Sequence, residues 1–346
     1  MVATMPTMRA AVLVAPHRIE IEQRPIPAPG PGEVVIRVER CGICGTDLHI
    51  YNGHYSADRL PLVPGHEFAG RIASLGAGVA GLAEGQKVIA DINIGCGHCF
   101  YCRRNEILSC AAVEQLGIHR DGAFADYVRV PARLVIPLPD DMPFEIAALT
   151  EPLSCVVRTA RRSRLQLAES VLVLGAGPIG NLHVQLARLM GAGPVIAADL
   201  DRARAALAKE CGADAVVSDP AALADTVRGL TGGRGADVVI ESVGSARLYG
   251  EALSLVRPGG RIAAFGLTPA DAVWSVPPLD IVLREIGVQG SVAGMGEDMH
   301  TALHLLALGR IRTAPFTRVT YPLTDLDAAI RAFAGDRTAF KVQIAA

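Results

Sequence analysis

Short apolar runs dominate the first half of the chain: AAVLV, IEIEQ, EVVIRVERC, AGRIASLG and QKVIADIN, each rich in β-branched residues and set apart by Pro and Gly, as in PIPAPGPGE. This punctuation predicts strands, which a closed or nearly closed antiparallel barrel satisfies without long exposed edges. Past residue 150 the rhythm changes. VLVLG at 171–175 leads through a glycine-rich turn into PIGNLHVQLARLMG, and VIAAD at 195–199 leads into DRARAALAKECG. ADVVIESVG, GGRIAAFG and IGVQGS follow from near 236, 259 and 286. Apolar strands buried on both faces, with helices between the earlier ones, describe an α/β doubly wound parallel sheet. Short helices and strands after about residue 297 are expected to return to the first domain.

A length of 346 residues exceeds what one hydrophobic core usually serves, so two domains are expected. The 33 basic and 35 acidic residues nearly cancel, which removes the positive field of a protein that binds nucleic acid through its phosphates. A small molecule is the expected target. The arginines between Arg158 and Arg164 read as the solvated face of a helix or an interdomain connection. No stretch has the length and apolarity of a membrane span, and the start MVATMPTMRAAVL lacks the pattern of a secretory signal, so a cytoplasmic enzyme is expected.

Eight cysteines are too few for a disulfide scaffold in a chain of this length, and four crowd into C-x2-C-x2-C-x7-C at Cys96, Cys99, Cys102 and Cys110. Four thiolates close a tetrahedral shell and leave no position for substrate, which points to a structural zinc. An iron–sulfur centre and four unrelated buried cysteines are the lesser readings, with His98 as a bystander. A second constellation joins Cys44 in CGICGTDLH to His66 and Glu67 in PGHE, both beside expected barrel strands. Cys41 stands close enough in sequence to compete with Cys44.

Gly175, Gly177 and Gly180 form G-x-G-x-x-G between a strand and a helix, an arrangement that brings the backbone and a helix N-terminus to a pyrophosphate. Asp199 ends the next strand. Its carboxylate can accept from ribose hydroxyls and would repel a 2′-phosphate, so NAD is expected, although Arg202 and Arg204 argue toward phosphate.

With CGICGTDLH, PGHE, the four-cysteine lobe, EPLS at 151–154 and GAGPIG at 175–180 in this order, the chain resembles the zinc-dependent medium-chain alcohol and polyol dehydrogenases, closest to their sorbitol dehydrogenase-like branch. The resemblance implies a GroES-like β-barrel catalytic domain over 1–150 with the zinc lobe at 96–110, a Rossmann domain over 151–292, and a return at 293–346 that completes the barrel. It implies two zincs per subunit, one structural and one catalytic. Cys44 and His66 would be catalytic zinc ligands, Glu67 a ligand or a close carboxylate, and Glu151 a further acidic position that contacts zinc directly or through water. Thr46 and His49 match a proton relay from the substrate hydroxyl through the cofactor ribose to solvent. Pro178, Ile179, Arg204 and Val243 complete the expected cofactor contacts.

The activity implied is hydride transfer from a secondary alcohol, a polyol or sugar alcohol, to NAD with formation of a ketone, by a homodimer or homotetramer paired through the Gly287–Val292 region. Two departures weaken the polyol reading: Ile50 replaces a branch tyrosine and Ala293 a branch arginine that contacts hydroxyls. Tyr51, Glu114, Glu297 and His300 could restore polarity. Related 2,3-butanediol, L-threonine and glucose-type dehydrogenases stay open; GTDLHIYN is reminiscent of the threonine branch and EPLS argues against it. A nonenzymatic metal- and NAD-binding sensor is the alternative from another class; its expected feature, a damaged Cys44, Thr46 or His66 constellation, is lacking.

Overall fold

A computed structural model describes residues 6–335 and 340–346. The opening MVATM, part of the start read above for a secretory signal, lies outside them. The described chain divides into two compact units. The first comprises the residues up to Glu151 with Met295–Leu308 and Thr313–Ala346, and the second Pro152–Gly294 with Gly309–Arg312.

In the first unit the apolar runs form strands. Glu33–Gly42 is the centre: it pairs antiparallel with Glu67–Leu75, with Tyr127–Pro131 and, at its C-terminal end, with Val342–Ala345. Register shifts on Glu33–Gly42 bend the pairing between Val35 and Ile36 and again between Val38 and Arg40, as bulges do where a sheet curls toward closure. Val34, Ile36, Val38, Val88, Val128, Val130, Val342 and Ile344 meet in one apolar core. The separate hairpin of Thr7–Ala15 and Arg18–Pro25 covers it, joined by the bridges Ala10 to Ala125 and Leu13 to Leu62.

The second unit is a six-stranded parallel sheet. In spatial order its strands are Ala215–Val217, Val195–Ala198, Val171–Leu174, Ala236–Glu241, Val256–Ala264 and Gly287–Gly290. Chain order therefore reverses between Val171–Leu174 and Ala236–Glu241. In such sheets the crevice beyond the carboxyl ends of those two strands receives the ligand. Val171, Leu172 and Val173 are fully buried, the consequence of helices on both faces.

Candidate metal and cofactor sites

The four-cysteine lobe sits between two short strands, Asn93–Ile94 and Glu114–Gln115, that pair with one another. Cys99 caps the helix Phe100–Arg103, its sulfur accepting from Cys102 N at 3.4 Å. The four sulfurs lie within 4.8 Å of one another, and Cys96 Sγ stands 3.9 Å from Cys102 Sγ. That separation is far beyond a disulfide, and a zinc with bonds of about 2.3 Å sets tetrahedral edges of about 3.8 Å. Backbone N–H groups of His98 and Cys99 bring the Cys96 thiol down to about 6. At Cys102 an N–H of Gly97 acts in the same direction, but burial and the other three thiols together push it up to about 11. Several thiolates cannot share this space without a cation, and zinc fits. His98 is exposed, its ring spent on the carbonyl of Cys96 at 2.9 Å.

Cys44, His66 and Glu67 form the second group, with ligand atoms also within 4.8 Å. Strand pairing explains the meeting: Glu67 sits opposite Gly42, and the chain leaves Glu33–Gly42 directly into the loop that carries Cys44. Cys44 precedes the helix Gly45–Tyr51, and Asp47 on that helix accepts from Cys44 N at 2.8 Å. The other Asp47 oxygen accepts from Gly65 N and stands 3.3 Å from His66 Nδ1. Asp47 thus ties both halves of the constellation together, as carboxylates behind metal-bound histidines do. Burial works against a charged His66 ring, yet Asp47 and the Cys44 sulfur draw its pKa well above the usual value. Glu67 is fully buried, and its Oε1 has no hydrogen-bond partner among the described residues. A thiol, an imidazole and a carboxylate with ligand atoms this close are a donor set that a zinc ion satisfies.

Cys41 does not compete. It is fully buried, its sulfur directed to the Gly42 carbonyl, and burial pushes its thiol well up. Glu151 is buried in the first turn of the helix Thr150–Arg162 but is not part of the three-residue group. Thr46 Oγ1 lies 3.8 Å from Cys44 Sγ, and His49 is half-buried three residues further along the same helix. Ile50 is wholly inside the barrel core, so it cannot touch a substrate there. Nor do two of the polar substitutes stand free: the Tyr51 hydroxyl donates to Asp327 at 2.8 Å, and Glu114 faces Arg120 at 3.7 Å. Glu297 and His300 are exposed on the helix Glu297–Ala307, while His119 accepts from Gln115 N.

In the second unit Gly175 turns the chain at φ +94°, and Gly177 caps the helix Pro178–Leu189. A Cβ on Gly180 would stand 1.8 Å from the Gly175 carbonyl, so only glycine lets helix and strand approach this closely. Pro178 and Ile179 are half-buried beside it and Val243 is exposed at the neighbouring turn. Asp199 is held by Ala176 N and Asp201 N, both at 2.8 Å. Arg204 extends toward the glycine turn, its Nη1 3.7 Å from where a Gly177 Cβ would be. The helix start at Gly177 and this guanidinium fit a dinucleotide pyrophosphate.

Sequence reasoning missed three residues. Lys341, immediately before the strand Val342–Ala345, pairs its ammonium with Glu67; burial works to lower its pKa, but Glu67, Cys44 and Asp47 together raise it. Asp47 carried no signal beyond its place inside CGICGTDLH. Glu241, fully buried, accepts from the N–H groups of Val243, Gly244 and Ser245 and so shapes the turn beside Gly175.

Two family models match: the alcohol dehydrogenase GroES-like domain over residues 30–140 and the zinc-binding dehydrogenase domain over 178–307. The L-threonine 3-dehydrogenase of Chelativorans sp. (strain BNC1) is 40% identical over 267 residues, 76% of this chain and 77% of that one. The chain belongs to the zinc-dependent medium-chain alcohol dehydrogenases. Its fold agrees with a zinc-binding dehydrogenase of Sinorhizobium meliloti 1021 bound to NADP, at a TM-score of 0.92 and 34% identity, covering 99% of this chain and 100% of that one. It agrees equally with an alcohol dehydrogenase (rspB) of E. coli CFT073 complexed with NADH, at a TM-score of 0.92, 30% identity and coverage of 98% and 99%. The GroES-like and Rossmann architecture that the family resemblance implied is therefore present, and the chain is an enzyme of this family.

Proposed function

We propose that the enzyme oxidises a small secondary alcohol to a ketone with NAD at a zinc held by Cys44 and His66. The buried group of Cys44, His66 and Glu67, separate from an all-thiol lobe that has no place for substrate, carries this reading. Zinc, when bound, would stabilise the alkoxide while bound NAD accepts the hydride.

The remaining work falls to the chain. Asp47 holds the helix start and the His66 loop in one geometry. The Thr46 hydroxyl, beside the Cys44 sulfur, takes the substrate proton and passes it on. His49 suits the outer end of that relay: burial first, then His54, lower its pKa, so the ring is neutral at pH 7 and free to accept. Glu151, buried in the first turn of its helix, is the further acidic group that would contact the metal directly or through water. NAD is preferred over NADP because Asp199 ends the second strand with its carboxylate fixed by two backbone donors, a negative charge where a 2′-phosphate would lie.

For the substrate, a relative named L-threonine 3-dehydrogenase and the segment GTDLHIYN favour L-threonine. EPLS favours a polyol, but Ala293 offers only a methyl group and Ile50 is buried. L-Threonine leads and polyols follow. NADH formation should be measured on L-threonine, 2,3-butanediol, C4–C6 polyols and glucose with zinc and NAD occupancy confirmed. Absence of zinc-dependent turnover on every one would overturn the reading.

A homo-oligomer is part of the proposal. The edge strand Gly287–Gly290 exposes Val288, and the nearby Leu279, Val282, Leu283 and Val292 are exposed as well, an apolar face that a second copy would cover. Free cysteines throughout suit a reducing, cytoplasmic setting. No helix among the described residues is long and apolar enough to cross a membrane.

A further inference from the structure

Glu241 is the last residue of the strand Ala236–Glu241, one of the two whose carboxyl ends frame the ligand crevice of the parallel sheet, and it is fully buried. Among the described residues no ammonium or guanidinium pairs with its carboxylate. Instead Oε1 accepts from the N–H groups of Val243, Gly244 and Ser245 at 3.1, 3.0 and 3.3 Å, and Oε2 accepts from Gly244 N at 3.1 Å. A Cβ on Gly266 would stand 2.5 Å from Oε2, so that glycine leaves the carboxylate its room. The Tyr249 hydroxyl beside it donates to the Gly266 carbonyl at 3.0 Å, and burial first, then the Glu241 charge, pushes this phenol above its usual value.

A buried charge without a cation destabilises a fold unless hydrogen bonds satisfy it. Here those donors lie in one short stretch, so carboxylate and turn hold each other in a single shape. That turn abuts the glycine turn of the cofactor site: the Ser242 hydroxyl donates toward the carbonyls of Leu174 and Gly175, at 2.9 and 3.0 Å, and Val243 Cγ2 lies 2.4 Å from where a Gly175 Cβ would be. Val243 is nevertheless 55% exposed, an apolar side chain that stands at the edge of the crevice and not in the core. We propose that Glu241 is a positioning residue for the cofactor: by fixing the N–H groups of Val243, Gly244 and Ser245 it presents the Val243 side chain to the bound dinucleotide. This rests on the NAD reading above. A glutamine of the same size would replace one acceptor by a donor and remove the charge, which loosens the turn and leaves the sheet in place.

The test titrates NADH into the protein and follows the nicotinamide emission together with that of Trp274, the chain's one tryptophan, whose ring centre stands 5.6 Å from that of Tyr249. Glu241→Gln should weaken NADH binding about tenfold, the worth of a hydrogen bond to a charged group, and in turnover the loss should appear in KM for NAD and not in kcat. Val243→Ala should weaken NADH binding as well. The double variant should bind no worse than the weaker of the two single variants, because both changes act through one contact. Should Glu241→Gln not fold, the same cycle is run with Glu241→Asp, which keeps the charge but withdraws it from the N–H groups by one methylene. Parent affinity in the Glu241 variant, a loss confined to kcat, or single losses that add in the double variant would each overturn the role of Glu241 and leave the NAD reading standing. A parent protein that binds neither NADH nor NAD would overturn the NAD reading itself and this proposal with it.

Discussion

In the lobe, four sulfurs come from one short stretch of chain between Cys96 and Cys110, partly exposed and braced by two-residue strands. At the other site a thiol, an imidazole and a carboxylate come from a helix start and a strand that meet only after the barrel has formed, and all three are backed by further charged groups, Asp47 and Lys341. Both sets suit the same ion. What separates them is the surroundings: the lobe's four thiols face only one another, whereas the barrel offers three unlike donors with Asp47 and Lys341 against them. A local site of the first kind can only hold chain together, and a long-range site of the second kind can bind and release a ligand.

The comparison breaks most sharply with Cys44→Ser. Turnover should fall by well over a hundredfold, since even partners behind a ligand are worth about 10–100-fold, while circular dichroism and the zinc of the lobe stay unchanged. Normal turnover would remove Cys44 from the site. Cys99→Ser should do the opposite: zinc content drops by one per subunit and the melting temperature by on the order of 10 °C, for a loss of about 3 kcal/mol or more, with kcat per folded molecule retained. A variant with lost kcat and full stability would show that the lobe is more than a brace.

Asp199→Ser should raise kcat/KM with NADP relative to NAD by about 10–100-fold, one or two units of charge repulsion being relieved. Unchanged preference would mean that Asp199 serves only the hydrogen bonds from Ala176 and Asp201. The smallest expected effect separates acid unfolding from acid release of metal. His183 is buried and burial holds its ring down to about 3, so it stays neutral in the fold but protonates in the unfolded chain below about 6.5. Its contribution is complete above pH 6.5 and is lost as pH falls toward 3, at about 1.4 kcal/mol per pH unit at most. His183→Phe should flatten that part of the stability curve in denaturant titrations and leave zinc release from either site where it was.

Legibility in the sequence followed locality. The lobe could be read because its spacing is the site; the glycine turn could be read because strand, turn and helix follow one another in the chain. Choosing Cys44 over Cys41 required a family register, and the structure supplies the physical reason in the complete burial of Cys41. Glu67 could be named but not its partner, because Lys341 arrives from the far end of the chain through strand pairing that no local pattern encodes. Ile50 looked like a position beside substrate because motifs record order and not direction; on its helix it points into the core. The short segment Gly309–Arg312 was likewise invisible: its tie to the second unit runs through Arg312, whose N donates to Gln185 at 2.7 Å and whose guanidinium pairs with Glu210 at 3.0 Å.

The strand Val342–Ala345 also sets an order of events during synthesis. Residues 152–294 are contiguous and can build their sheet as they emerge, domains being able to fold as units while the chain is still being made. The first unit, although begun earlier, must wait for residues 341–345 before Glu67 meets its counter-charge and Gly42 its second neighbour. Premature termination or a bulky fusion near that strand would thus spare a dinucleotide-binding half while leaving the barrel open, a nascent species able to sequester cofactor without consuming alcohol.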